Sequence, residues 1–434
     1  MNQVAEANSS AAPVDIPGLT EHLFRHEAGK LVAVLTGIFG IERLQLAEDV
    51  VQDVMMRALQ TWPYYGVPKN PAAWLTQAAK NLALDTIRRE KNFTEKQPQI
   101  ISFMEQWPTS GVGGNAPLLD TEIQDDRLRM MFVCCHPLIT PEDQIALALK
   151  TLCGFSPAEI AKAFLTTDAG IAKRLTRAKQ KIRDAQIRFE IPEGEELARR
   201  LDAVLQSLYL LFNEGYKASS GPRLIREDLC HEAIRLTTLL AKHPAGNQPK
   251  THALLALMLL NAARLPSRTD SEGNLLRLQD QDRSRWDPAM IARGMFHIAQ
   301  SAAGPTLSEY HLQAGIAAVH CAAPDYASTN WAQILELYDR LTEFDDSPVV
   351  ALNRAVAVAE VSGPQAGLDA VNAIKNLKSL ESYYLLHAVR GEFELRLRRG
   401  GAAAGHFRRA LELAEVPSEQ TFLAKRLEEC LSVA

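Results

Sequence analysis

Apolar residues recur along most of this chain at intervals of three and four rather than in alternation, and that period predicts helices nearly throughout. Leu31, Val34, Leu35 and Ile38 form one such stripe, and Ala47, Val50, Val51 and Val54 a second. Trp74, Leu75, Ala78, Leu82 and Ile87 make a third, and Ile171, Leu175, Ala178 and Ile182 a fourth. Start signals stand in front of several stripes. Asn70-Pro71 and Thr140-Pro-Glu-Asp143 pair a capping side chain with a proline suited to the first turn, and Ser156-Pro-Ala-Glu159 adds the glutamate of a capping box. Few β-branched runs bounded by turns interrupt this grammar, so an all-α protein with almost no sheet is expected.

The pattern also divides the chain. Residues 1–19 are polar and expected to be disordered; 20–91 form a first helical block. Residues 92–124 shift to Gln, Pro, Ser and Gly, including Gly111-Val-Gly-Gly-Asn115, and read as a flexible linker. A second small block, 125–190, follows, and 195–434 is again helical with a different grammar. There Trp331-Ala-Gln-Ile-Leu-Glu-Leu-Tyr338 matches the start of a tetratricopeptide repeat, with Trp331, Ile334 and Tyr338 at the expected offsets. Helices expected near Pro348 and Ser382 begin 34 residues apart, the period of that repeat.

Between Ser156 and Arg183 the sequence predicts two short helices around a tight turn, with Thr166 or Thr167 capping the second. The second helix carries Lys173, Arg174, Arg177 and Lys181 away from its apolar stripe, and no carboxylate lies between Ile171 and Arg183. This is a helix-turn-helix pattern, whose basic face suits phosphates or the major groove. A basic face that is merely solvated shows the same pattern.

Composition narrows the classes. At 434 residues, 47% apolar and 6% aromatic, the chain has material for two or three cores. Its formal charge of −5 gives no bulk attraction for nucleic acid, so any DNA binding must come from local arrangement. The start lacks the basic and apolar regions of a signal peptide, and the apolar run Ala253 to Leu260 is too short to span a bilayer. A cytoplasmic protein with no membrane contact is expected. Among six cysteines, Cys134, Cys135 and Cys153 lack the paired spacing of a metal site, so reduced, buried thiols and no metal or cofactor are expected.

Three strings in order raise the DNA reading. Ala47-Glu-Asp-Val-Val-Gln-Asp-Val-Met-Met-Arg-Ala-Leu59, Asn70-Pro-Ala-Ala-Trp-Leu75 and Ala79-Lys-Asn-Leu-Ala-Leu-Asp-Thr-Ile-Arg-Arg89, followed by the helix-turn-helix, resemble the extracytoplasmic-function (ECF) sigma factors over about Thr20 to Arg188. The resemblance implies an alternative sigma factor that binds core RNA polymerase and recognises the −35 and −10 elements of promoter DNA. By that resemblance Asp49, Gln52, Asp53 and Met56 face the polymerase, and Thr167, Lys173, Arg174, Arg177 and Lys181 read the −35 element. Tyr64, Lys69, Asn70, Asn81, Arg88 and Arg89 handle the −10 element, where Tyr64 or Tyr65 offers a stacking ring for an unpaired base. Trp74 is expected in the core. No covalent chemistry is implied for the chain itself.

The long C-terminal part resembles a subgroup of these factors with a fused tetratricopeptide-like domain, through Leu211-Phe-Asn-Glu-Gly-Tyr-Lys-Ala-Ser-Ser-Gly221 and Leu278-Gln-Asp-Gln-Asp-Arg-Ser-Arg-Trp-Asp287. In the second string Asp280, Asp282, Arg283, Arg285, Trp286 and Asp287 form either a regulatory site for a protein or ligand, or an internal ion-pair network. Two rival functions remain open on sequence: a helix-turn-helix regulator with a tetratricopeptide sensor and no polymerase affinity, and an enzyme using Glu214, Asp280, Asp282 or Asp287 as acid and base.

Overall fold

The computed structural model describes residues 16–89, 126–152, 154–164, 166–185, 194–218, 224–244, 246–304 and 306–433. Among them no strand forms; a lone bridge joins Thr269 to Leu275. The linker 92–124 lies outside the described residues, as do 1–15, whereas helix α1, Ile16–Phe39, begins inside the segment expected to be disordered. The chain divides into two units, Met1–Val204 and Leu205–Ala434.

In the first unit α1 is followed by α2 (Leu44–Tyr65) and α3 (Pro71–Arg89), then by α4 (Asp126–Cys134), α5 (Pro141–Leu152), α6 (Pro157–Ala163) and α7 (Asp168–Asp184). Helix α2 shows how the period builds the core. Leu44, Ala47, Val50, Val51, Val54, Met55, Ala58 and Trp62 are buried, while Asp49, Gln52, Asp53 and Met56 lie on the exposed face. The Trp62 indole meets Trp74 of α3 edge-on at 5.6 Å, so the half-buried Trp74 contributes to packing.

Helix α1 packs on α2 and α3 and also on α4 and α5, so the two blocks of the first unit share a core. Gly29 makes the tightest approach. A Cβ there would lie 2.0 Å from the carbonyl oxygen of Leu152 at the end of α5, so only glycine fits without movement.

Helix α8 (Gly194–Tyr216) contains the boundary at Val204, and the second unit continues with α9 (Glu227–Lys242) and α10 (Pro249–Ala262). Helix α10 is buried from Thr251 to Leu260, which accounts for an apolar run too short to be a membrane span. Helices α11 (Pro288–Ser301) and α12 (Glu309–Ala322) pack against it. Six more follow: α13 (Trp331–Phe344), α14 (Pro348–Ser362), α15 (Pro364–Asn372), α16 (Tyr384–Arg396), α17 (Gly400–Leu413) and α18 (Pro417–Val433).

Odd members of this last set start at 331, 364 and 400, and even members at 348, 384 and 417. The helix expected near Ser382 begins at Tyr384, after Asn376 turns left-handed (φ 54°) and Leu377–Leu380 form a 3-10 turn. Successive helices bury one another's stripes: Ile334 and Leu341 with Ala357, Leu368 and Val371 with Phe393, Phe407 and Ala410 with Leu423.

Candidate nucleic-acid interface

The turn between α6 and α7 is fixed from both sides by side-chain caps. The Ser156 hydroxyl accepts from the backbone N–H of Glu159 at 3.2 Å, and the Ser156 N–H donates to the Glu159 carboxylate at 2.6 Å, a complete capping box. Thr167 caps α7 by accepting from the N–H of Gly170 at 3.2 Å, so the hydroxyl expected at DNA already holds the helix start.

Ile171, Leu175, Ala178 and Ile182 seat α7 in the core, which leaves Lys173, Arg177 and Lys181 on the exposed side. Arg174 is half-buried, with its guanidinium 5.8 Å from the centre of the Phe164 ring. Arg177 remains 63% exposed although it reaches the buried Asp143 of α5 at 3.3 Å. That ion pair orients its guanidinium without covering it. Lys179, which the helical pattern does not single out, binds Glu48 of α2 at 2.6 Å and Gln45 at 2.9 Å, and Thr151 donates to the same Glu48 at 3.2 Å. The α7 surface thus splits into an exposed basic face and a flank that grips α2.

The other predicted positions fall on two exposed tracts of α2 and α3. Asp49, Gln52 and Asp53 are exposed beside Met56 (48%) and the neighbouring Leu59, an acidic face with an apolar spot. Tyr64 and Tyr65 stand 85% and 88% exposed at the end of α2, which Gly66 closes at φ 82°. Lys69 and Asn70 follow on the same turn, where the Asn70 side chain accepts from the N–H of Ala73 and starts α3. Asn81 and Arg88 share one exposed face of α3 but with Asp85 between them, and Asn81 accepts from Gln77. The Arg89 side chain lies outside the described residues.

Comparison with known families converges on this geometry. Residues 23–93 match the model described as sigma-70 region 2, and residues 129–182 the model of sigma-70, region 4. Residues 200–302 match a family of unknown function. A protein of Rhizobium meliloti (strain 1021), named as uncharacterized protein R00370, is 39% identical over 388 residues, covering 89% of this chain and 90% of that protein. The chain belongs to the sigma-70 family, as an ECF-type factor with an additional C-terminal domain. No solved structure matches it significantly.

In this sigma factor the charged string of the second unit is occupied by internal contacts. Arg283 donates to the carbonyls of His320 and Ala323 at 2.7 and 2.8 Å and to the Thr329 hydroxyl at 3.0 Å, with its guanidinium 4.9 Å from the centre of the buried Trp286 ring. Asp282 accepts from the N–H of Ser284, and Asp287 accepts from Ala289 and Met290 to cap α11. Asp280 pairs with Arg277, which reaches on to Glu392 at 3.2 Å. Arg285 alone of the basic pair is exposed. Glu214 is buried against Arg226 at 3.4 Å. Among the described residues each of these carboxylates is held in a separate contact.

Cys134 and Cys135 are buried and unbridged, and burial pushes the Cys135 thiol up to about 12. Cys153 lies outside the described residues. No described helix is long and apolar enough to cross a membrane.

Proposed function

We propose that this sigma-70 factor binds core RNA polymerase through the exposed face of α2 and directs it to promoters through α7 and the α2–α3 turn. The observation that carries this reading is the capped α6–α7 motif. Its apolar stripe is buried and its basic side is open, within a segment that matches region 4. A phosphate backbone supplies the countercharge that Lys173 and Lys181 lack among the described residues, and an arginine held as Arg177 is held has the fork geometry to meet a guanine edge.

On this reading Asp49, Gln52, Asp53 and Met56 dock on a basic helical surface of the polymerase. Tyr64, Lys69, Asn70, Asn81, Arg88 and Arg89 contact the −10 region. The exposed Tyr64 and Tyr65 rings are placed to stack on bases that leave the duplex, while Asp85 confines phosphate contacts on α3 to its ends. Residues 195–434 act as a tetratricopeptide-like regulatory domain; the repeat character is supported from Trp331 on by helix starts that recur at 33- and 36-residue intervals. The site of action is the cytoplasm, where polymerase and promoter meet.

Run-off transcription by core polymerase, with and without the chain, tests this. Added protein should create new start sites. Arg177→Ala should weaken promoter binding by about 1–3 kcal/mol where the arginine meets a base, and Lys173→Ala should flatten the salt dependence. A chain that binds DNA but neither captures core polymerase nor changes its start sites is a regulator of another kind, and the proposal fails.

A further inference from the structure

Within the segment that matches a family of unknown function lies a cleft of about 470 Å³, bounded by α9, the turn after it, α10 and α11. That volume is in the range that holds small organic ligands. Its chemistry comes from Lys242, Asn247, His252, Arg293, Phe296 and His297. None of these belongs to the promoter-reading surfaces.

The close approach of α11 to α10 creates the central feature. Gly294 is buried against Leu260, and a Cβ at that position would lie 2.7 Å from the leucine Cγ. One turn further along α11, the His297 ring lies edge to edge with that of His252, with centroids 5.1 Å apart and planes 16° from parallel. The two Nδ1 atoms are 3.0 Å apart, so one must carry a proton and the other must not. Nε2 of His252 lies 2.8 Å from the side-chain oxygen of Asn247, which can only accept. His252 therefore holds its proton on Nε2 and presents a lone pair at Nδ1, and Nδ1–H of His297 donates to it. Both rings are neutral. Burial lowers the pKa of each ring, with a further lowering of His297 by His252 and Arg293, which fits that assignment.

The chain of bonds leaves Nε2 of His297, an acceptor on a side chain that lines the cleft, without a protein partner among the described residues. The same cleft is lined by two cations and one phenyl ring. Lys242 and Arg293 are exposed and have no ion pair or hydrogen bond among the described residues. Phe296, 59% exposed, adds a phenyl ring to the same lining. Two unpaired cations call for an anion, an exposed ring wall calls for a flat apolar body, and a fixed acceptor calls for a donor.

We propose that this cleft binds a planar aromatic acid bearing a hydroxyl group. Its carboxylate lies between Lys242 and Arg293, its ring lies against Phe296, and its hydroxyl donates to Nε2 of His297. The binding claim stands apart from the promoter reading, because every residue it uses lies on α9 to α11 of the second unit.

Fluorescence titration of the full-length chain with 6-hydroxy-2-naphthoate, whose hydroxyl is remote from its carboxylate and free to donate, tests the proposal in the absence of polymerase and DNA. One saturable site per chain is expected. Lys242→Gln and Arg293→Gln, both at exposed positions, should each weaken binding at least tenfold without changing helix content. The amide 6-hydroxy-2-naphthamide should bind at least tenfold more weakly than the acid. His297→Phe should erase the preference for 6-hydroxy-2-naphthoate over 2-naphthoate, which lacks the hydroxyl. Absence of saturable binding, equal binding of the amide, or unchanged affinity in both cation variants overturns the proposal, and none of these results bears on promoter recognition.

Discussion

Histidines held inside the second unit make its stability depend on acid in a direction that can be worked out. Burial, with Arg264 and Arg283 adding to it, lowers His320 to about 3, and burial beside His252 and Arg293 lowers His297 to about 4, against an ordinary 6.5. Between those values and 6.5 the unfolded chain binds protons that the folded chain refuses. Stability therefore falls as the pH drops below about 6.5 and is insensitive to these groups above it. Urea unfolding should show a lower midpoint at pH 5 than at pH 7, and His320→Phe, which keeps a ring against Trp331, should shrink that difference. An unaltered pH dependence in the variant would remove His320 as a source. Neither the His252–His297 pair nor the Lys179–Glu48 pair is legible in the sequence, because each joins residues 45 and 131 positions apart through tertiary packing alone. Asp282 and Asp287 show the opposite case. Their capping role is local, yet a crowd of charges around one tryptophan reads equally as a binding site until the bonds of Arg283 are seen.

Helices were the most legible level, and the reason is that their determinants are short-range. Ser156, Pro157 and Glu159 specify the start of α6 within four residues, and Asn70 with Pro71 does the same for α3. The start of α16 was displaced from Ser382 to Tyr384 because a left-handed Asn376 and a 3-10 turn intervene, and neither leaves a hydrophobic period to read. At this scale Ser156→Ala is the informative change. It should destabilise the first unit by about 1 kcal/mol, within the range for lost N-caps, and raise hydrogen exchange in α6 more than in α2. Because α6 supports the turn that aims α7, promoter affinity should fall with it, whereas Ser156→Asp should retain both. A Ser156→Ala protein with unchanged exchange in α6 would show that the box contributes nothing there.

Packing between blocks is the property that no local pattern announces, and it concentrates at Gly29. The sequence separates 20–91 from 125–190 by a linker and so reads as two independent modules, while α1 lies on α4 and α5 and Glu48 is held by both Lys179 and Thr151. A helix-interior glycine normally costs stability relative to alanine, so replacing it in open space should help. Gly405 of α17 has no heavy atom within 4 Å of the added Cβ, and Gly405→Ala should stabilise the second unit by about 0.5–1 kcal/mol. The same change at Gly29 should reverse sign. Its Cβ would meet a backbone carbonyl at 2.0 Å, a group with no rotamer to retreat into, and overpacking of this kind costs about 1–3 kcal/mol. Thermal unfolding of the two variants therefore separates propensity from packing within one fold: Gly405→Ala raises the midpoint of its unit and Gly29→Ala lowers that of the other. If Gly29→Ala were stabilising, α1 and α5 would not be in contact in solution, and the two promoter-binding blocks would move independently in the free protein.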